Sequence, residues 1–503
     1  MKENDFERIL QQKDKQIAAL LEENNSLREK LELALKARYS KTSEKMKPEI
    51  LPELDEPQVT AEEAAEIAEA EQEIAVKSYG RKKPKRKPIP AEYPRETVIH
   101  DIPIEQQVCN CGNNLHCIGE DIHEQLEYIP AKIKVIQHVR KKYGCRSCET
   151  GISMAPATIF LPKILAGPGL LSHVILSKYE DHSPLYRQEK IWQRLGIDIA
   201  RQTLCNWVLL AAERLQVLVD LLREELLQLN YVRADETPVQ VMEEKKVRAS
   251  KRAYMWVFCS GRTQGAICVY QFATTRAGIV PQEFLGGFKG FLQTDEFSGY
   301  NKLNVTRVGC MAHARRKFAV IAKSTKKTGS SHYAVAIIAK LYKIEKKIKE
   351  LKLNDDETTT YRQENSKPIL IKFKNWLDQQ KLKVPPKSPL GKAIHYFFAH
   401  WDNLTIYLKH GFLDIDNNFT EQKVKPFTLG RKNWLFMGNE RGGQAAAVLF
   451  SLIESAKANH LNTFAYLRYV MDKLPSINSG DHNKLLQLLP HKLDPSILQK
   501  YLN

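Results

Sequence analysis

No run of eighteen apolar residues occurs in the 503-residue chain, which excludes a bilayer-spanning helix. The opening MKENDFERIL is too charged for the apolar core of a signal peptide. Cysteine is scarce and odd in number, nine in all. Without a secretion signal, that argues against a disulfide framework and for reduced intracellular thiols, some of them available as metal ligands. Internal repeats are lacking. Acidic charge is in deficit, with Asp+Glu at 59 against Lys+Arg at 76, a net charge of +17. That excess favours a polyanionic partner, nucleic acid before a membrane surface, and so a cytoplasmic, nucleoid-associated protein. What is present suffices for ordinary cores: 43% hydrophobic and 27% charged residues exclude wholesale disorder and a collagen-like chain. The length corresponds to about three domains.

Phe6, Leu10, Lys13, Ile17, Leu20, Asn24, Leu27, Leu31 and Ala34 alternate in steps of four and three, the seam of a coiled coil over residues 1–45. Asn24 at an a position favours a registered parallel dimer, so a homodimer or higher oligomer is expected. In 46–97 an acidic linker precedes a basic arm. From Glu49 to Glu73 there are ten acidic residues and no Lys or Arg, whereas six of the seven residues 81–87 are basic. The acidic stretch reads as solvated and partly helical. The arm, with Arg81, Lys82 and Lys83, can lie along phosphates or serve as a charged tether.

Residues 98–160 hold Cys145 and Cys148 with two residues between them, a zinc-knuckle half whose thiolates can face one tetrahedral metal. Cys109 and Cys111 complete a four-cysteine site, or Cys117 replaces one of them; His116 and His123 are substitutes. Residues 161–228 read as helices around a turn at Gly196, a helix-turn-helix spacing. Its second helix would present Arg201, Gln202 and Asn206 to a groove, over a small core of Ile191, Trp192, Leu195, Leu204 and Trp207. Cys205, Cys259, Cys268 and Cys310 stand singly in apolar surroundings and read as core.

Beyond residue 230 come three short β-rich runs, then helix and strand in alternation, the order expected of an RNase-H-like sheet. This core spans 229–330 and 411–455, interrupted by a Lys-rich helical insertion (331–410) and followed by a helical element (456–503). The fold class is thus a multidomain α+β or α/β chain. Asp235 lies within the first strand and Asp295 ends a later one. A carboxylate in an apolar strand is costly to bury unless it is paired or binds a cation. Two of them suggest a shared Mg2+ or Mn2+ site of oxygen ligands. Glu421, on a helix beginning near Asn417 or Asn418, is the third ligand that a second ion needs, with Asp416 its rival. Glu236 and Glu296 follow the two aspartates, but strand alternation lets only one of each pair face the site. His313, Arg315, Arg316, Lys425, Arg431 and Lys432 would clamp a DNA backbone. Trp434 either stacks on an unpaired base or belongs to the core.

Several stretches together resemble transposases of the insertion-sequence 66 family, nearly end to end. They are Thr42-Ser43-Glu44-Lys45, the cysteine module with GEDIHEQLEYIPA, ADETPV, TDEFSGYN, GCMAHARRKF, DNNFTEQKVKPFTLGRKNWLFMGNERGG and SLIESAKANHLNTFAYLRYVM. The resemblance implies a DDE transposase that cuts element ends and transfers strands into target DNA, with Asp235, Asp295 and Glu421 matching the acidic triad. It implies a leucine zipper, a zinc-binding module, a helical DNA-binding region, the element's terminal inverted repeats and target DNA as partners, and accessory proteins encoded beside it. The chain departs from the family pattern at Cys109-Asn110-Cys111, where two intervening residues are usual, and at Gln422-Lys423, where an Arg is common. An RNase-H-like nuclease or resolvase, and a zinc-containing DNA-binding regulator, are the rival readings.

Overall fold

The computed structural model describes residues 59–74, 133–144, 152–154 and 158–502, apart from 243–249, 262–265, 326–327 and 479, with isolated positions 13, 16, 17, 23, 24 and 97. The expected coiled coil, basic arm and all five cysteines between 109 and 148 lie outside the described residues.

The fold is mixed α/β with a helical majority. In chain order its elements are α1 (Ala61–Ile74), β1 (Lys142–Gly144), β2 (Ile152–Met154), α2 (Pro168–Tyr179), α3 (Leu185–Arg194) and α4 (Arg201–Leu227). Then come β3 (Tyr231–Met242), β4 (Ser250–Ser260), β5 (Cys268–Ala273), α5 (Ile279–Leu285), β6 (Phe291–Gln293), β7 (Thr306–Val308) and α6 (Met311–Ala322). Helices α7 (Ser330–Leu351), α8 (Asp355–Lys383), α9 (Pro389–Ala399) and α10 (Trp401–Thr405) follow. The chain closes with α11 (Asn418–Trp434), β8 (Phe436–Met437), α12 (Glu440–Ala458), α13 (Thr463–Lys473) and α14 (His482–Leu486).

The main sheet runs β5-β4-β3-β6-β7, with β8 beside the far end of β3. β3, β4 and β5 are antiparallel, while β6 and β7 add in parallel. In β4, Met255, Trp256, Val257, Phe258 and Cys259 are all fully buried, the continuous apolar run of a strand covered on both faces. On α4, Leu204, Trp207, Val208, Ala211, Leu215, Leu218 and Leu222 recur at helical spacing and are buried. They share one core with the sheet, α2 and α12. The region expected to present a recognition helix therefore packs on the sheet through the body of that same helix. Trp192, Leu204 and Trp207 are buried as expected, whereas Ile191 and Leu195 are exposed; they fall on the outer side of the turn. Cys259 and Cys268 do not stand singly: they are cross-strand partners with sulfurs 3.4 Å apart.

A second core joins α6 to the helices of the insertion. Asn354 and Glu357 form a reciprocal capping box at the start of α8, each bond 2.9 Å. Arg362 is buried and donates to both oxygens of Glu345 (2.8 and 2.7 Å) and to the carbonyls of Tyr407 and His410 (2.9 and 3.0 Å). It thereby fastens the loop that leads back to the sheet.

The acidic stretch differs from a solvated linker over α1. Thr60 and Glu63 cap the helix reciprocally. Ile67 is 4% exposed and belongs to the core of the insertion. Glu66 pairs with Lys340 and Lys372, Glu69 with Lys340 at 2.9 Å, and Glu63 accepts from Trp376 Nε1 at 2.6 Å. Lysines of α7 and α8 thus neutralise the carboxylates and let the helix dock.

Candidate active site and metal centre

Strand register explains how two of the acids meet. Arg233 of β3 pairs in parallel with Gln293 of β6. Asp235 and Asp295 each lie two residues further along, and side chains two apart on a strand share a face. Asp295 lies just past its strand rather than within it. Glu421 sits in the first turn of α11. Asn417, 1% exposed, fixes that helix end: its Nδ2 donates to the Ala234 carbonyl (2.9 Å), and its backbone N–H donates to Cys310 Sγ (3.2 Å). One residue, through its side chain and its backbone, so ties α11 to the residue before Asp235 and to the start of α6.

Burial pushes the Asp235 carboxyl up to about 8, reinforced by the charges of Glu236, Asp295 and Glu421 and opposed by the Glu236 N–H. Carboxylates that raise one another in this way call for a cation. The neighbouring acids are satisfied by protein groups instead. Glu236 accepts from Arg276 Nε (2.8 Å) and Tyr300 Oη (3.0 Å); burial still holds its carboxyl above the ordinary value. Glu296 is met by Asn403 (3.1 Å), Arg307 (3.2 Å) and His400 (3.2 Å). Asp416 accepts from the Asn418 backbone (3.1 Å) and side chain (2.7 Å). Asp235 accepts from the Glu236 backbone N–H (2.8 Å) and Asp295 from that of Phe297 (3.1 Å), while Glu421 faces His313 and Arg316.

His313 faces Glu421: its Nδ1 is 3.6 Å from Oε1, and Arg316 Nη2 is 3.6 Å from Oε2. Burial, then Arg316, holds the imidazole below its ordinary value. Cys310, His313 and Glu421 bring their ligand atoms within 4.8 Å of one another. Among the expected DNA clamps, Arg315 is half-buried, while Arg316, Lys425 and Lys432 are exposed. Arg431 is used within the fold, donating to Thr237 Oγ1 (3.2 Å) and the Pro238 carbonyl. Trp434 packs edge-on against Phe427, ring centres 5.5 Å apart, the core alternative of the two. Arg201, Gln202 and Asn206 are exposed at the start of α4, with Gln202 donating to Asn206 (3.3 Å). Sequence reasoning missed Asn417 as an anchor and Cys310 as its acceptor; the paired Asn417-Asn418 ahead of a helix was the available signal.

Residues 163–445 match the model described as "Transposase IS66 family". The chain belongs to the IS66 transposase family. Residues 26–98 match "Transposase C of IS166 homeodomain", 106–149 the zinc-finger binding domain of transposase IS66, and 451–491 the IS66 C-terminal element. Two relatives are uncharacterized proteins of Sinorhizobium fredii (strain NBRC 101917 / NGR234). The chain is 31% identical to y4hP, over 92% of this chain and 87% of the relative. It is 34% identical to y4jD, over 80% and 81% respectively. Membership of the IS66 family supports a transposase with DNA as its partner, and the matched domains suggest divalent-metal and zinc binding. No helix among the described residues is long and apolar enough to cross a membrane.

Proposed function

We propose that this IS66-family chain is a DDE transposase that hydrolyses a phosphodiester at the element's ends and transfers the freed 3′ hydroxyl into target DNA. The observation that carries this is the matched offset of Asp235 and Asp295 from the Arg233–Gln293 register, with Glu421 brought to them by Asn417. The strand order, three antiparallel strands followed by two parallel ones, supports an RNase-H-like core whose two parts flank the insertion. Asp235, Asp295 and Glu421 would hold Mg2+ or Mn2+, which supplies activation of water and charge stabilisation at the leaving oxygen. The protein's own groups keep Glu236 and Glu296 engaged elsewhere. Exposed Arg316, Lys425 and Lys432 would meet DNA phosphates, with Arg201, Gln202 and Asn206 at an end of α4 open to a groove. Cys109, Cys111, Cys145 and Cys148 would hold a structural Zn2+, and the coiled coil would pair two protomers and hence two element ends.

The test is Mg2+-dependent nicking of a duplex carrying the inverted repeats that flank the gene, with any co-encoded small proteins added. Wild type should nick at the repeat end and Asp235→Ala should bind without cutting. Cleavage retained by Asp235→Ala would refute the assignment. Preference for branched over linear ends would favour a resolvase; binding without turnover, a regulator.

A further inference from the structure

His313 was expected to touch DNA, yet it points at a carboxylate of the acidic site. Its Nδ1 and Glu421 Oε1 face each other at 3.6 Å, too far for a hydrogen bond. Each is a buried atom without a hydrogen-bond partner. Leaving two polar atoms in that state costs free energy unless something fills the space between them. Both are metal-ligand atoms, a ring nitrogen and a carboxylate oxygen, and a cation bound by both needs about 2.0–2.2 Å to each. Two such bonds span the observed gap at an open angle, whereas a bridging water would need further polar partners.

The third member of the cluster has a different part. The Cys310 sulfur accepts from the backbone N–H of Asn417 (3.2 Å) and from that of His313. Through these two contacts the sulfur orients the α6 and α11 ends. Arg316, at 3.6 Å from the other Glu421 oxygen and 58% exposed, can swing into solvent when a cation takes its place.

We infer that His313 Nδ1 is a nitrogen ligand to the divalent cation held by Glu421, giving this site a mixed nitrogen–oxygen ligand set. The inference rests on the reading of Asp235, Asp295 and Glu421 as metal ligands. Its chemical consequence is selectivity. Mg2+ takes oxygen ligands, whereas first-row transition ions, Mn2+ included, accept an imidazole nitrogen more readily. The site then prefers Mn2+ to Mg2+ by more than an all-carboxylate set would.

The experiment uses the full chain in its zinc-holding form, loaded with Mn2+ and read by pulsed electron paramagnetic resonance, which detects a directly bound nitrogen as 14N modulation. Wild type should bind Mn2+ and show the modulation. His313→Gln should bind Mn2+ without it, and its preference for Mn2+ over Mg2+ in competition should fall about tenfold. Glu421→Gln should lose both the modulation and that ion. A circular-dichroism melt of each variant guards against unfolding. Bound Mn2+ without 14N modulation in wild type, or modulation that survives His313→Gln in a folded protein, would overturn the His313 assignment and leave the carboxylate reading standing. Failure of wild type to bind Mn2+ at all would overturn both.

Discussion

Replacing Asp235 by Asn should abolish cleavage and at the same time stabilise the protein when no Mg2+ or Mn2+ is present. Burial pushes the folded carboxyl up to about 8, against 3.8 for the ordinary group. Between those values the folded state holds a proton that the unfolded state has released, so stability falls as pH rises through the window and the loss is complete above about 8. At about 1.4 kcal/mol per pH unit, the gap bounds the loss at roughly 6 kcal/mol. Part of that arises from the charge of Glu236, which can itself take up a proton, so a net effect of about 2–4 kcal/mol between pH 5 and pH 8 is expected. Asn is neutral throughout and has almost the same shape. Urea unfolding of wild type and Asp235→Asn should therefore diverge with pH: a small advantage for the variant at pH 5, a large one at pH 8. Added Mn2+ should stabilise wild type and narrow the difference, since it binds the ionised form. A pH-independent difference, or a variant less stable than wild type at pH 8, would show that Asp235 is not held protonated by its surroundings.

Other perturbations test how the site is assembled. Arg362→Ala strands the buried Glu345 carboxylate and leaves the carbonyls of Tyr407, His410 and Gly411 without their donor; it should cost about 3–5 kcal/mol in urea unfolding, with the Arg362→Met, Glu345→Met pair recovering most of it. Asn417→Ala removes the bond to the Ala234 carbonyl and should cost about 1–3 kcal/mol. Because Asn417 positions Glu421, nicking by that variant should fall at least tenfold with DNA binding nearly unchanged; equal losses in both would argue for a merely structural role.

Local pattern carried much of this architecture. The strand containing Asp235, the apolar run ahead of Asp295 and the helix beginning at Asn418 all follow from alternation, β-branched content and turn residues, which act over a few positions. What escaped sequence reasoning depends on partners far along the chain. Glu236 and Asp235 are chemically alike in sequence; they differ because Arg276 and Tyr300, 40 and 64 residues away, reach only Glu236. Arg431 lies in a basic stretch, yet the Pro238 carbonyl, 193 residues distant, claims it. Cys259 and Cys268 become neighbours only once β4 and β5 are in register. The acidic segment reads as solvated because its compensating lysines stand more than 270 residues later.

That last pairing changes what the N-terminal part of the chain is. Helix α1 belongs to the same core as the helices of the insertion, although more than 250 residues separate them in sequence. A single proteolytic cut between residues 75 and 132 would leave α1 still docked by Ile67 and its carboxylates, so the first fragment could co-purify with the second. Expression beginning after residue 75 would instead remove a piece of the insertion's own core and strip Lys340, Lys372 and Trp376 of the carboxylates that meet them.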